Sequence, residues 1–440
     1  MKSVFKEIIL LQREYFTPPL HKREVNIEFS LPKIQTVVGP RRAGKSSLLR
    51  LSIQSLLEKR VSWDKICFIS FEDERLRREP FEADIILQAF AELNSHRENL
   101  KDTWFFFDEI QYLDNWEPFV NRIHEHISKR IVITGSNSKT LHTQVSSVLR
   151  GRGLPLELLP LSFSEYLQWI QIQFESHGAG KAKVIAAFHQ FIQRGGFPEV
   201  VLLQEHQQQR ILHEYFNAVM FRDMIDVQQP ANYAYLRYLL HRVAANVGKT
   251  TSLQKIYREL KSRGYSVGQN SVYDMTQLAE DVYLHKRISK FDASIIKREN
   301  ADKKSYFIDN GMLQALNNSF SDNYGMLLEN AVFWQLYRQY GSIYTTDIYY
   351  FKDAYHECDF VLYKEGGYAL PVQVCWSLQE ESTKIREIRG LIKACKYADS
   401  SRGIIITSEE EFELNEDGVS IYVVPAWKWW GQNLDLFGFI

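Results

Sequence analysis

The sequence predicts an α/β protein of several domains that contains a parallel β-sheet. At 440 residues the chain is too long for one ordinary domain, and about two to four are expected. Strand-like and helical stretches alternate between about residues 23 and 160, which is the pattern of a parallel sheet covered on both faces. A mostly helical stretch follows, and strand-like stretches return near residue 283 and again from residue 348. The predicted domains are 1–165, 166–230, 231–308 and 309–440.

Composition limits the class of protein and its surroundings. Hydrophobic residues make up 45% of the chain, charged residues 24%, and the net charge is −1, so any attraction to nucleic acid must come from a local patch. The four cysteines show neither metal-ligand nor disulfide spacing, which fits a reducing compartment. No apolar run suits a signal peptide or reaches the roughly 18–20 residues of a membrane helix. We therefore expect a cytoplasmic protein that does not enter a membrane.

The strands of the first sheet are predicted from short apolar runs. Ligands of parallel sheets bind outside the carboxyl ends of the strands, so the residues after each run are the candidates for a site. The runs are 34–38, 66–71, 104–107, 131–134 and 156–159.

A glycine-bearing loop after the first run satisfies the pattern G-x-x-x-x-G-K-[ST]. It precedes a helical stretch at 47–57, so its N–H groups and the positive end of that helix can surround a polyphosphate. We expect Lys45 to lie against the β- and γ-phosphates of ATP, and the Ser46 hydroxyl to bind Mg²⁺. The loop residues are Gly39, Pro40, Arg41, Arg42, Ala43, Gly44, Lys45, Ser46 and Ser47.

The third run ends in two carboxylates, Asp108 and Glu109. Asp108 is predicted to complete the Mg²⁺ site, and Glu109 to polarise the attacking water. The alternative is a buried strand that runs into an acidic surface turn. We prefer a nucleotide site because the loop and the carboxylates have the order and separation that one site requires. Since Glu109 is a candidate general base, we expect hydrolysis of ATP to ADP.

Polar and basic groups follow the fourth run. Thr134, Ser136 and Asn137 are candidates for contacts with the γ-phosphate, and Asn137 is a candidate to orient the lytic water. An ordinary Gly-Ser-Asn turn is the alternative interpretation. Farther along, Arg150 and Arg152 offer guanidinium groups to phosphate charge, and Arg152 is the preferred candidate. A solvated basic loop explains these arginines as an alternative.

The stretch 231–308 has the element order of a winged-helix module. Helices are predicted at 252–263 and 270–280, followed by a hairpin at 283–288 and 305–308. Residues 251–304 carry 11 Lys or Arg against 7 Asp or Glu, so a basic wing is a candidate contact for DNA phosphate. The alternative is that the module only packs between domains and its lysines are solvated. The cations of the hairpin are Lys286, Arg287, Lys290, Lys297, Arg298, Lys303 and Lys304.

The last predicted domain resembles the PD-(D/E)xK nuclease core, in which an aspartate and a second oxygen ligand hold Mg²⁺ beside a lysine. Asp359 and Gln373 occupy the places of these two ligands, and Glu329 fits the place of a glutamate on the preceding helix that often assists. The lysine position holds Cys375, whose thiol is neutral near pH 7 and too soft for a hard cation. Lys384 is a candidate substitute. We expect a degenerate nuclease-like fold that does not cleave, with a working nuclease as the alternative.

As a set, the motifs resemble prokaryotic AAA-type P-loop ATPases with a C-terminal domain of unknown function related to these nucleases. The motifs are GPRRAGKSS, FFFDEIQ, ITGSNS, LRGR, PLSF, GGFPE, YFIDNG, LLEN, ECDFVL and QVC. The resemblance implies an AAA+ parallel sheet, a helical lid, a winged-helix module and a restriction-endonuclease-like α/β domain. It also implies ATP hydrolysis coupled to the winged-helix and nuclease-like modules. From the order of the domains alone we expect hydrolysis to rearrange these modules, and the candidate partners are DNA at the basic wing, a homo-oligomer or another protein. An ATP-regulated DNA nuclease and a nucleotide-sensing binding protein are the alternatives.

Overall fold

The computed structural model describes residues 1–17, 21–94, 100–135, 149, 151–225, 233–316, 323–342, 347–364 and 367–439. The chain forms two compact units, Met1–Leu159 and Pro160–Ile440. The first unit therefore ends six residues before the predicted boundary at 165, and the three later predicted domains pack into one unit. No helix among the described residues is long and apolar enough to cross a membrane.

The first unit is built around a parallel sheet. Its elements are α1 (Lys2–Glu14), β1 (Ile34–Val38), α2 (Lys45–Glu58), β2 (Ile66–Ser70), α3 (Asp84–Leu93), β3 (Trp104–Asp108), α4 (Trp116–His126), β4 (Ile131–Gly135) and β5 (Gly153–Glu157). In the described residues the strand order is β2-β3-β4-β1-β5, and every pairing is parallel. The parallel sheet predicted from the alternation of strands and helices is thus confirmed.

Both faces of this sheet are covered, as the apolar runs require. Successive side chains of a strand point to opposite faces, so the three phenylalanines of β3 divide between two cores. Phe105 and Phe107 belong to the core formed with α1 and α3, whereas Phe106 belongs to the core formed with α2. All three side chains are fully buried. Strand β3 is therefore packed on both faces, and the acidic turn follows directly from its end.

The second unit contains more helix and two further sheets. Its elements are α5 (Phe163–Trp169), α6 (Gly178–Arg194), α7 (Glu205–Ala218), a π-helical segment (Val219–Ile225), α8 (Tyr233–Ala245), β6 (Thr250–Thr251), α9 (Leu253–Ser262), α10 (Gln269–Asp281), β7 (His285–Ile288), α11 (Ile295–Asn300), β8 (Lys303–Phe307), α12 (Asn310–Leu316), α13 (Tyr324–Tyr340), β9 (Ile348–Lys352), β10 (Glu357–Lys364), β11 (Tyr368–Val374), α14 (Glu381–Tyr397), β12 (Arg402–Thr407), β13 (Phe412–Glu416), β14 (Val419–Pro425) and α15 (Ala426–Gln432). Among the described residues the sheets have the orders β6-β8-β7 and β13-β14-β12-β11-β10-β9.

The larger sheet is mixed. Strands β11, β12 and β14 are parallel, and α14 supplies the crossover between β11 and β12. Strands β9, β10 and β13 add antiparallel pairings. The strand-like stretches predicted from residue 348 onward lie in this sheet, whereas the exposed, acidic sequence of β13 resembles a surface loop.

The helices predicted as a separate lid at 166–230 pack inside the second unit. The backbone N–H of Gly196 donates to Asp309 Oδ2 over 2.7 Å. The Trp430 ring packs on Phe188 with 5.4 Å between ring centroids. Buried polar bonds and aromatic contacts of this kind fix these helices to the carboxyl-terminal part of the chain, so the prediction of a separate lid is corrected.

The segment between β7 and β8 is also fixed. The Phe291 N–H donates to the carbonyl of Tyr350 over 2.7 Å, and the Tyr350 N–H donates to the carbonyl of Ser289 over 3.1 Å. These bonds extend the larger sheet at its edge strand β9. The predicted wing therefore pairs with the carboxyl-terminal sheet and does not stand free.

Candidate functional site

The loop between β1 and α2 has the backbone that a phosphate site needs. Gly39 has φ +149°, and a Cβ there would lie 2.1 Å from the carbonyl oxygen of Leu158. Gly44 has φ +97° at the start of α2. Lys45 is 5% exposed, and its Nζ donates to the carbonyls of Gly39 and Pro40 over 3.1 Å each. The ammonium of Lys45 therefore lies against the loop that precedes its own helix, α2.

Arg23 supports this loop and was not found from the sequence. Its guanidinium donates to the carbonyls of Ala43 and Leu159, both over 2.7 Å. It therefore ties the loop to the segment that follows β5. Arg23 lies before the first strand in a stretch without regular periodicity, so nothing in the local pattern pointed to this role.

Asp108, at the end of β3, lies beside the loop. Its carboxylate accepts a hydrogen bond from the Thr134 hydroxyl over 2.6 Å, and a second from Ser46. Burial raises the pKa of Asp108, while these hydrogen bonds and the charge of Lys45 oppose the rise. Ser46, Lys45 and Asp108 are thus brought together, as the sequence predicted.

Thr134 positions the acidic turn. Strand β4 lies between β1 and β3, and the fully buried hydroxyl of Thr134 accepts the N–H of Glu109 over 2.9 Å. The same hydroxyl donates to Asp108. Thr134, a candidate γ-phosphate contact, therefore holds the two acids. Ser136 and Asn137, the other candidates, lie outside the described residues, as does Arg150.

Glu109 follows in a left-handed turn with φ +50°. The residue is 8% exposed, and its carboxylate accepts a hydrogen bond from the side-chain amide of Gln111. The turn separates the two carboxylates, so that Asp108 bonds to Ser46 and Glu109 bonds to Gln111. Gln111 is a positioning residue that the sequence did not single out.

Arg152 lies at the other end of the sheet, contrary to its predicted role. It precedes β5, and its carbonyl accepts the N–H of Ile34 at the start of β1 over 2.9 Å. A five-residue strand spans about 16 Å, and the phosphate loop follows the opposite end of β1. The Arg152 guanidinium also forms an ion pair with Glu125. The prediction that Arg152 contacts phosphate is therefore wrong for the site of its own chain.

A second cluster of charge lies in the carboxyl-terminal unit around Lys304. The side chain of Lys304 is fully buried, and its Nζ lies 2.7 Å from Glu357, 3.0 Å from Asp359 and 3.4 Å from Glu329. Burial alone would lower the pKa of Lys304, but the surrounding acidic groups raise it well above its usual value. Lys304, assigned from the sequence to a basic wing, is thus enclosed by carboxylates.

The nuclease-like residues meet in this cluster. The Asp359 N–H donates to Gln373 Oε1 over 3.2 Å, and the Gln373 amide donates to Glu387 over 2.6 Å. Glu329 and Asp359 share the Lys304 ammonium. The structure therefore brings Glu329, Asp359 and Gln373 together as predicted.

Neither Cys375 nor Lys384 supplies the missing lysine. Burial raises the pKa of Cys375 to about 11, so its thiol is neutral, and the sulfur contacts the carbonyl of Ser377 at 3.0 Å. Lys384 places its Nζ over the ring of Phe412, 5.7 Å from the centroid. The candidate substitute Lys384 is thus corrected, and Lys304 is the lysine that reaches Asp359.

Most cations predicted for the wing have partners within the unit. Arg287 forms an ion pair with Glu280, Lys303 pairs with Glu299 over 3.4 Å, and Lys286 lies over the Tyr337 ring. The Arg298 guanidinium lies over the ring of Tyr349. These contacts are those of a packed module, which was the alternative to DNA contact by the wing.

Comparisons with known proteins agree with the first site. Residues 31–167 match the AAA domain family, and residues 185–323 and 324–429 match two domains of unknown function, DUF8612 and DUF4143. An uncharacterized protein of Haemophilus influenzae is 25% identical over 394 residues, which cover 90% of this chain and 94% of that protein.

Two solved structures are more distant. The Walker-type ATPase of Pyrococcus abyssi has 13% identity and a TM-score of 0.42, covering 72% of this chain and 95% of its own. The Aeropyrum pernix ORC1 protein in complex with DNA has 12% identity and a TM-score of 0.33, covering 72% and 91%.

An archaeal relative shares nearly the whole chain. An uncharacterized protein of Methanocaldococcus jannaschii is 32% identical over 439 residues, which cover 97% of this chain and 95% of that protein. The phosphate loop, β3 and β4 all lie inside the segment that matches the AAA domain. The chain therefore belongs to the family of the Methanocaldococcus jannaschii protein, and it carries an AAA-type P-loop domain.

Proposed function

We propose that the protein binds ATP with Mg²⁺ and hydrolyses it to ADP and phosphate. The observation that carries the proposal is the meeting of Asp108 with Ser46 and Lys45, since these residues are about 60 positions apart in sequence. A loop with its own buried lysine after β1 and a carboxylate at the end of β3, two strands away in the sheet, are the two parts of a nucleotide–metal site. The buried hydroxyl of Thr134 fixes the second part relative to the sheet.

The donor set fits Mg²⁺. A hydroxyl and a carboxylate are oxygen ligands of the kind that this hard cation prefers. Burial raises the pKa of Asp108, so a cation beside it favours the ionised form. Ser46 and Asp108 would hold the ion, which when bound neutralises charge on the β- and γ-phosphates. Lys45 and the loop amides would bind the phosphate oxygens.

Glu109 would act as the general base. It would accept a proton from water as the water oxygen attacks the γ-phosphorus and ADP leaves. Gln111 holds the Glu109 carboxylate and would release it to water when a triphosphate is bound. Ser136 and Asn137 follow the adjacent strand β4 and stay predicted contacts of the γ-phosphate.

Steady-state ATP turnover of Glu109→Gln tests this proposal. Loss of a general base lowers the rate by roughly 10²–10⁴-fold, and we expect ATP affinity to be retained because Glu109 is not a phosphate ligand. Lys45→Ala should abolish the Mg²⁺-dependent heat of ATP binding in calorimetry. Glu72→Gln is the matched control, since Glu72 is an exposed carboxylate after the neighbouring strand β2. Equal, negligible turnover in wild type and Glu109→Gln would favour the nucleotide-sensing alternative, and no binding heat in wild type would refute both.

We further propose that hydrolysis is coupled to a rearrangement of the second unit. The proposal is motivated by the order of domains, because an AAA domain that only consumed ATP would need neither following domain. Limited proteolysis with ADP and with a non-hydrolysable ATP analogue tests the coupling. Different cleavage patterns within residues 160–440 are expected, and identical patterns would exclude the coupling.

DNA is a second candidate partner, through helix α9 and not through the wing. The α8–α10 helices and the three-stranded sheet have the element order of a winged-helix module, which supports this assignment. Lys255, Arg258 and Lys261 are exposed on α9, and none of them forms an ion pair within the described residues. Their charge is therefore available to phosphate in a way that most wing cations are not.

Salt dependence of duplex binding tests this second candidate. Each lost phosphate contact reduces the slope of log K against log salt by about 0.9, so Arg258→Ala/Lys261→Ala should reduce it by about 2. Lys303→Ala in the wing is the control and should leave the slope unchanged. A wild-type protein without a salt slope would exclude contact with DNA phosphate.

A further inference from the structure

We infer that Lys304 is the resident cation of the carboxyl-terminal carboxylate cluster and that it excludes a divalent metal from it. In a working nuclease core, Asp359 and Gln373 would hold Mg²⁺ and Glu329 would assist them. Here the ammonium of Lys304 lies between Glu329 and Asp359, within 3.4 Å and 3.0 Å of their oxygens. The residues present therefore do not fit a metal ion, although they occupy the places of metal ligands.

The ammonium is fully engaged. A lysine side chain has three N–H donors, and Lys304 has three carboxylate partners, Glu329, Glu357 and Asp359. Its side chain has no exposed surface. A buried ammonium without such partners would be strongly unfavourable, so the carboxylates are also what permits Lys304 to lie here.

The would-be metal ligands are engaged as well. Asp359 Oδ1 accepts from Lys304, and Asp359 Oδ2 accepts the N–H of Val374 over 3.0 Å. Gln373 uses its carbonyl oxygen for the Asp359 N–H and its amide for Glu387. A divalent ion would have to displace Lys304 and disturb these bonds.

The acidic groups around Lys304 have partners without a divalent ion. Glu329 accepts a hydrogen bond from the Tyr306 hydroxyl over 2.8 Å in addition to its contact with Lys304. The other charged groups are paired by sign. The cations are Lys304, Lys352 and Arg386, and the anions are Glu357, Asp359 and Glu387.

Solvent nevertheless has access to the cluster. A cleft of about 610 Å³ is lined by Glu329, Asp359, Gln373 and Lys249, among other residues. A metal ion would therefore have a route to the ligands, and the ammonium, not burial, excludes it. Lys304 belongs to β8, outside the nuclease-like core, so the cluster also fastens the three-stranded sheet to that core.

Counting bound Mn²⁺ by electron paramagnetic resonance tests the inference. The full chain is used without nucleotide, so that the result does not depend on the proposed ATP site. We expect wild type and Asp359→Asn to bind equal amounts, and Lys304→Ala to bind one ion more per chain. The additional ion should be lost in Lys304→Ala/Asp359→Asn. A wild-type protein that binds one ion more than Asp359→Asn, or a Lys304→Ala protein without an added ion, would overturn the inference.

Two further measurements distinguish the expected result from misfolding of the variants. Lys304→Met should lower the Tm because it leaves carboxylates without their cation, and Mn²⁺ should recover part of the loss. Lys303→Met, at the neighbouring and partly exposed lysine, is the matched control and should leave the Tm unchanged. If the Lys304 variants do not fold, wild type is compared with Glu329→Gln, and a metal ion present only in wild type counts against the inference. Plasmid cleavage by wild type that is lost in Asp359→Ala counts against it equally.

Discussion

Two sites in the molecule pair an aspartate at a strand with a buried lysine, and they differ in what the ammonium contacts. Lys45 donates to the backbone carbonyls of Gly39 and Pro40, while Asp108 bonds to hydroxyl groups. Lys304 donates directly to Asp359 and to two further carboxylates. The first arrangement leaves a carboxylate beside neutral oxygen ligands, which suits a metal ion. The second supplies the cation from the chain itself.

The difference follows from where each lysine enters its site. Lys45 opens the helix that follows the loop, so the nearest acceptors are the carbonyls of that loop. Lys304 comes from a strand of another sheet, 55 residues before Asp359, and reaches the carboxylates from the side. The same two residue types therefore form different sites. The ammonium of Lys45 donates to backbone carbonyls, whereas the ammonium of Lys304 neutralises carboxylates.

The largest effect that would sharpen this comparison is expected from Thr134→Val. The substitution keeps the shape of the side chain but removes the hydroxyl that bonds to Asp108 and Glu109. An unmade bond to a buried polar group costs about 1–3 kcal/mol, so we expect kcat for ATP to fall by about 10- to 100-fold. Steady-state kinetics, with the Tm as a measure of folding, gives the result.

Thr36→Val is the control for this experiment. Thr36 is fully buried on β1 of the same sheet, and its hydroxyl has no hydrogen-bond partner among the described residues. Removing it should leave kcat within about twofold, since no bond is lost. Equal losses in the two variants would mean that Thr134 only packs, and that the hydroxyl does not prepare Asp108 for its role.

The contiguous part of the first site was predictable, and the tertiary part was not. Gly39–Ser47 and Asp108–Glu109 are short contiguous patterns, and each lies in a single loop or turn. Their chemistry could therefore be inferred from the sequence alone. Arg23 and Thr134 act through hydrogen bonds to residues at least 20 positions away in sequence, which no local pattern encodes. Arg152 was misplaced because β5 begins at Gly153, three residues before the predicted run, so that Arg152 directly precedes the amino end of this strand.

The second site shows the same limit more strongly. Glu329, Asp359 and Gln373 were predicted together because a known core has them at these places. Lys304 was predicted as one of several cations of a basic wing, either in contact with DNA phosphate or solvated, since neighbouring cations in a sequence look alike. Only the packing of β8 against the core distinguishes the fully buried Lys304 from the partly exposed Lys303.

A smaller effect, on stability and not on activity, is expected from Glu329→Gln. Burial raises the pKa of Glu329 from 4.5 to about 8, so the folded protein keeps a proton that the unfolded chain releases. Its stabilising contribution is therefore full at low pH and is lost as the pH rises from about 4.5 to about 8. Glutamine resembles the protonated form and does not titrate, so the variant should lack this loss.

The free energy of unfolding of wild type and Glu329→Gln, measured between pH 5 and pH 9, separates two accounts of the cluster. We expect similar free energies of unfolding near pH 5. As the pH rises, the value for wild type should decrease relative to that of Glu329→Gln by at most about 1.4 kcal/mol per pH unit. A constant difference across this range would mean that Glu329 is ionised in the folded protein. The cluster would then carry one negative charge without a partner. That charge would favour a further cation in spite of the ammonium of Lys304.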